Sequence, residues 1–68
     1  MRKEYKVMMK TNGKWWQAHV NCRKAKITHT SEEAVQEMRR VAEAREKWGC
    51  PAEAYKIISR EVGEWADA

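Results

Sequence analysis

Residues Lys10–Gln17 read KTNGKWWQ, and the Asn12-Gly13 pair inside that stretch decides how the chain on either side of it pairs. A two-residue β-hairpin loop of type I′ needs positive φ at both central positions, which Asn-Gly adopts at least cost. Taken as such a loop, it sets Thr11 opposite Lys14, Lys10 opposite Trp15, Met9 opposite Trp16 and Met8 opposite Gln17. Continued outward, Val7 faces Ala18, Lys6 faces His19 and Tyr5 faces Val20. Side chains alternate between the two faces of a strand. One face then carries Tyr5, Val7, Met9, Trp16, Ala18 and Val20, and the other Lys6, Met8, Lys10, Trp15, Gln17 and His19. The turn alone set this pairing, yet it separates apolar from polar residues, which supports the register. Trp16 is therefore expected in the core, and Trp15 on the outer face among lysines.

Further along, Cys22-Arg23 reads as a loop and Lys24–Thr28 as a third strand returning beside the second. Val20 then faces Ala25 and Ala18 faces Ile27 on the core side. Asn21 faces Lys24, His19 faces Lys26 and Gln17 faces Thr28 on the outer side. Thr30-Ser31-Glu32-Glu33 is a capping box that opens a helix. Ala34, Val35, Met38, Val41, Ala42 and Trp48 recur at helical spacing, and Gly49 and Pro51 end the helix near Trp48. Tyr55–Val62 reads as a last strand, with Ile57-Ile58 buried on both faces. Gly63 ends or bulges that strand, and Trp65 is placed to fold back as a lid.

The expected fold is α+β: a small single-layer β-β-β-α-β unit, its antiparallel sheet covered on one face by one helix. The C-terminal strand returns beside strand 1, parallel to it through a right-handed crossover. Sixty-eight residues form one domain, 1–68, whose core is so small that every apolar face has to be used. No apolar run approaches a membrane span, and none follows the basic Met1-Arg2-Lys3, so neither a membrane anchor nor a signal peptide is expected. Two cysteines, Cys22 and Cys50, are too few for a secreted disulfide scaffold and point to reduced thiols in the cytoplasm.

The charge is lopsided. Residues 1–30 hold eight Lys/Arg against Glu4 alone, whereas residues 31–68 hold six against nine Asp/Glu. Such asymmetry points to an anionic partner for the basic half. The outer face gathers Lys6, Lys10, Lys14, Trp15, Gln17, His19, Asn21, Lys24 and Lys26, with Met8 between them. Lysines neutralise phosphates, an exposed indole stacks or wedges, and Gln and Asn hydrogen-bond base edges. The expected function is a non-catalytic nucleic-acid-binding module. The alternative is a protein-binding inhibitor or adaptor anchored by Trp15, since Trp is enriched at interface centres. Either works as a monomer or a homodimer.

Other chemistry is poorly supported. His19, Cys22, His29 and Cys50 have metal-ligating side chains, but their spacing fits no zinc pattern, so no metal or other cofactor is expected. No phosphate loop, nucleophile elbow or zinc-protease helix occurs, so the chain is not expected to be an enzyme.

Lys14-Trp15-Trp16-Gln17-Ala18-His19-Val20, followed by Thr30-Ser31-Glu32-Glu33-Ala34 at a helix start, resembles the three-stranded-sheet-plus-helix DNA-binding domains of plant ethylene-response factors and phage-integrase arm-binding domains. The likeness spans residues 5–45. It implies a sheet laid in the major groove, with Lys14, Trp15, Gln17, His19 and Lys26 as contacts. The chain departs from that pattern in its strand-1 lysines, where those domains favour arginines, and in a strand after the helix. In size and build it is also similar to small phage-encoded inhibitor proteins, which act by occupying a partner's surface.

Overall fold

A computed structural model describes residues 3–61 and 65–67. Strand β1 (Glu4–Thr11) turns through Asn12-Gly13 into β2 (Lys14–Gln17). Asn12 and Gly13 have φ of 52° and 76°, as a type I′ loop requires. The register is the one read from the turn: Met8 with Gln17, Met9 with Trp16, Lys10 with Trp15 and Thr11 with Lys14. One step further, the Ala18 amide donates to the Val7 carbonyl at 2.9 Å. A Cβ added at Gly13 would meet nothing within 4 Å, so only the backbone resists substitution there. Gly13→Ala should therefore cost about 1 kcal/mol, read as a lower thermal midpoint with an unchanged fold.

Beyond Ala18 the expected third strand is replaced by something else. The chain leaves the sheet as a miniature hairpin, β3 (His19–Val20) and β4 (Arg23–Lys24), turning at Asn21-Cys22. His19 pairs with Lys24 and Val20 with Arg23, two residues out of step with the expected register. Asn21, with φ of 56°, supplies the turn that Cys22-Arg23 is poorly suited to make. The Ala25 amide closes the excursion on the Ala18 carbonyl at 2.7 Å, and Thr28 then bridges Tyr5 antiparallel. Residues 25–28 thus resume the downward path of β2 beside β1. This reverses two expected burials: Ile27 is exposed and Thr28 is buried.

That change also corrects the direction of the last strand. Because the chain reaches Thr28 at the Tyr5 end of β1, the helix α1 (Ser31–Lys47) must climb the sheet to its other end. Strand β5 (Ala54–Arg60) then descends beside β1, antiparallel rather than parallel, with Ala54 opposite Lys10 and Arg60 opposite Glu4. A short β6 (Ala66–Asp67) pairs with β5, giving the sheet order β2-β1-β5-β6. The fold is α+β: an antiparallel sheet, one helix on one face, and a C-terminal strand beside β1. The expectation for Gly63 lies outside the described residues.

Helix α1 starts where its capping box places it. The Thr30 hydroxyl accepts from the Glu33 amide at 3.2 Å and donates to the Glu33 carboxylate at 3.0 Å. At the other end Gly49, at φ 76°, donates to the Glu46 carbonyl and Cys50 donates to that of Arg45, a Schellman closure. Its buried face is Ala34, Glu37 and Val41, with Met38 packed partly against the core. The core joins these to Val7, Met9, Ala18 and Ala25.

Trp16 does not enter that core. It projects to the helix side as the register requires, yet it is 51% exposed. The reason is width. A helix with its side chains is about 10–12 Å across, whereas the outer strands of a four-stranded sheet lie roughly 14 Å apart. Helix α1 packs on β1, β5 and the hairpin, leaving the Trp16 end of edge strand β2 uncovered. Trp48, expected on the buried stripe, is the helix C-cap and is 68% exposed.

Candidate nucleic-acid interface

The face of the sheet opposite the helix carries the outward residues of three adjacent strands. From β1 come Glu4, Lys6, Met8 and Lys10; from β2, Trp15 and Gln17; from β5, Lys56, Ile58 and Arg60. Trp65, just before β6, returns over the same face. Its indole lies 4.5 Å from the Lys6 ammonium and 4.5 Å from the Arg60 guanidinium. Lys56 sits 4.5 Å over the ring of Trp15. Trp15 is thus stacked by a cation from β5, and Trp65 by one cation from β1 and one from β5, an attraction set by the ring quadrupole. Trp15 on the β2 edge and Trp65 on the β6 edge mark opposite corners of the face. Glu4 is the face's carboxylate from β1, and it accepts from Arg60 Nε at 3.0 Å. Ile58 is buried within this face.

The residues expected together on one surface divide into two groups. Lys6, Lys10, Trp15 and Gln17 share the outer face. Gln17 donates its side-chain amide to the Ala25 carbonyl at 3.3 Å, which ties it to the hairpin root. Lys14 pairs with Thr11, so strand alternation puts it on the Trp16 side and not beside Trp15. Asn21 and Lys24 leave the sheet with the β3–β4 excursion, and with Lys26 on the segment just after it they line a groove against the helix, together with Arg23 and Arg40. His19, at the root of β3, is half-buried, with Nδ1 3.3 Å from the Gln17 carbonyl.

Two outer-face cations escaped the sequence reading, Lys56 and Arg60, whereas Trp65 was expected to fold back as a lid. Alternation through the last strand would have found Lys56 and Arg60 once Ala54 was set opposite Lys10, but no turn signal specifies that register. Glu37 also escaped, because a glutamate on a helix reads as solvated. It is 8% exposed, accepts the Lys26 amide at 2.6 Å and bonds Arg40 Nε at 2.5 Å. The bonded Arg40 guanidinium holds its carboxyl below the ordinary value; burial opposes this and the Lys26 amide reinforces it. Eight residues on, Arg45 donates to the His19 carbonyl at 2.9 Å. The helix therefore grips both roots of the hairpin.

Among the described residues no cluster of three or more His, Cys, Asp or Glu side chains is placed to hold a metal ion, and no helix is long and apolar enough to cross a membrane. Cys22 and Cys50 are exposed free thiols. The chain matches no family model, no curated protein and no solved structure.

Proposed function

We propose that the outer sheet face binds nucleic acid, with bases of a single strand stacking on Trp15 and the backbone phosphates taken by Lys6, Lys10, Lys56 and Arg60. The observation that carries this reading is the pairing of indoles and cations on one uncovered face: Trp15 with Lys56, and Trp65 with Lys6 and Arg60. A stacking platform bordered by cations is the usual device for holding unstacked bases, because every base has a π-face and every nucleotide a phosphate. Duplex bases are stacked on one another and reach an indole only by being wedged apart, which costs a few kcal/mol per step. The single-stranded form is therefore the better fit.

The test is fluorescence anisotropy with single-stranded DNA, single-stranded RNA and duplex DNA at two salt concentrations, with Trp emission followed in parallel. Single strands should bind most tightly, quench Trp, and weaken steeply as salt rises. Trp15→Ala should lower that affinity about tenfold while the domain stays folded. Absence of binding at low salt would sink the proposal.

A second reading is favoured by a separate observation. Trp16 and Trp48 are large, apolar and mostly exposed, and neither lies on the outer face. Exposed indoles of this kind suit a protein-binding inhibitor or adaptor. Such a complex would resist salt and would be weakened by Trp16→Ala rather than by Lys10→Ala.

A further inference from the structure

The β3–β4 excursion creates a groove between itself and helix α1, about 660 Å³ in volume, lined by Val20, Asn21, Arg23, Lys24, Lys26 and Arg40. Four of these six residues are cations. The carboxylate bonded to this group is Glu37, and its two bonds are to the Lys26 backbone and to Nε of Arg40. Both fix the groove's geometry: one holds the segment that carries the Lys26 side chain, and the other orients the guanidinium. The terminal N–H donors of Arg40 lie outside that bond, and they have the fork geometry that suits a phosphate. The hairpin that carries Arg23 and Lys24 is held at its other root by Arg45 on the His19 carbonyl. Cations on a braced framework lose little entropy when they engage an anion.

The groove does not face the same way as the tryptophan platform. One of its walls is helix α1, which covers the face from which Val7 and Met9 project, whereas Trp15 projects from the opposite face. We infer that the groove is a second phosphate-binding site, taking the backbone of a second nucleic-acid segment, so that one chain bridges two segments. This rests on the sheet-face reading for the first segment, and on the groove's own charge and geometry for the second.

The experiment has two arms on the full chain. In the first, ¹⁵N-labelled protein is titrated with tripolyphosphate. The amides of Asn21–Lys26 and the Arg40 Nε signal should move, and the movement should vanish in the double variant Arg23→Ser/Lys24→Ser. In the second, two short single-stranded oligonucleotides carrying donor and acceptor dyes are mixed with the protein. Energy transfer should appear, and should fall to background in the same variant, while quenching of Trp by one oligonucleotide persists. Lys26→Ser serves as a second variant, because the Lys26 contact with Glu37 is made by the backbone and survives the change. Groove signals that ignore tripolyphosphate would overturn the inference while leaving Trp quenching, and with it the sheet-face reading, intact. Groove signals that move without energy transfer would overturn the bridging. Loss of all Trp quenching would instead remove the sheet-face reading, and the first arm alone would then report whether the groove binds phosphate.

Discussion

Met9→Ala should remove a large share of the domain's stability, whereas Trp16→Ala, directly across the same pair of strands, should remove much less. Met9 is 1% exposed and sits at the centre of the cluster with Val7, Ala18, Ala25 and Val41. Truncating a fully buried Met costs about 2–5 kcal/mol, because the lost transfer energy is joined by the cost of a cavity. A domain of this length has only about 3–10 kcal/mol of total stability to lose. Trp16 is the larger side chain, but half of it is already in water, so its removal should cost roughly 1–2 kcal/mol from the apolar area it does bury. Urea unfolding followed by circular dichroism measures both. If Trp16→Ala proves as damaging as Met9→Ala, the helix must cover the edge strand, and the placement of α1 described above is wrong.

Glu37→Ala is expected to cost about 2 kcal/mol near neutral pH, about 8–16 °C in Tm. The carboxylate joins three elements of structure: its own helix, the Lys26 amide on the segment returning from the hairpin, and the Arg40 side chain. Removing it leaves that amide without its acceptor and loosens one root of the β3–β4 excursion. The effect should depend on pH in a set direction. The folded-state value of Glu37 lies below its ordinary 4.5, so the contribution is fully present above about that pH. It fades as the pH falls through the lower folded value, where the folded chain also takes up the proton. The gap between wild type and Glu37→Gln should accordingly be widest near pH 7 and narrow towards pH 3. A gap that widens in acid would mean that folding raises the pKa of this carboxyl instead of lowering it, contrary to its bonding to Arg40.

Both expectations concern features that differ in how well they can be read from residues. The Asn12-Gly13 turn, the register it imposes over Met8–Thr11, and the helix from Ser31 to its glycine stop were all legible, because each is specified within a few residues by backbone chemistry. Alternation then placed Lys6, Lys10, Trp15 and Gln17 on one face. The miniature hairpin was not legible. Its turn at Asn21-Cys22 competes with a turn one residue later, and both registers place Ala25 on the core side. The choice is made by contacts remote in sequence, Arg45 on His19 and Glu37 on Lys26, which hold the excursion against the helix.

From that local choice the larger differences follow. With residues 25–28 running down the sheet, the helix climbs and β5 descends antiparallel, which brings Lys56 and Arg60 onto the tryptophan face and moves Lys24 and Lys26 off it. Turns, caps and face alternation are properties of a few neighbouring residues, so they can be read along the chain. The company a strand keeps, and whether an inward-pointing tryptophan finds anything to cover it, depend on the finite width of one helix over four strands. That width is a property of the assembled layers, and no stretch of residues expresses it.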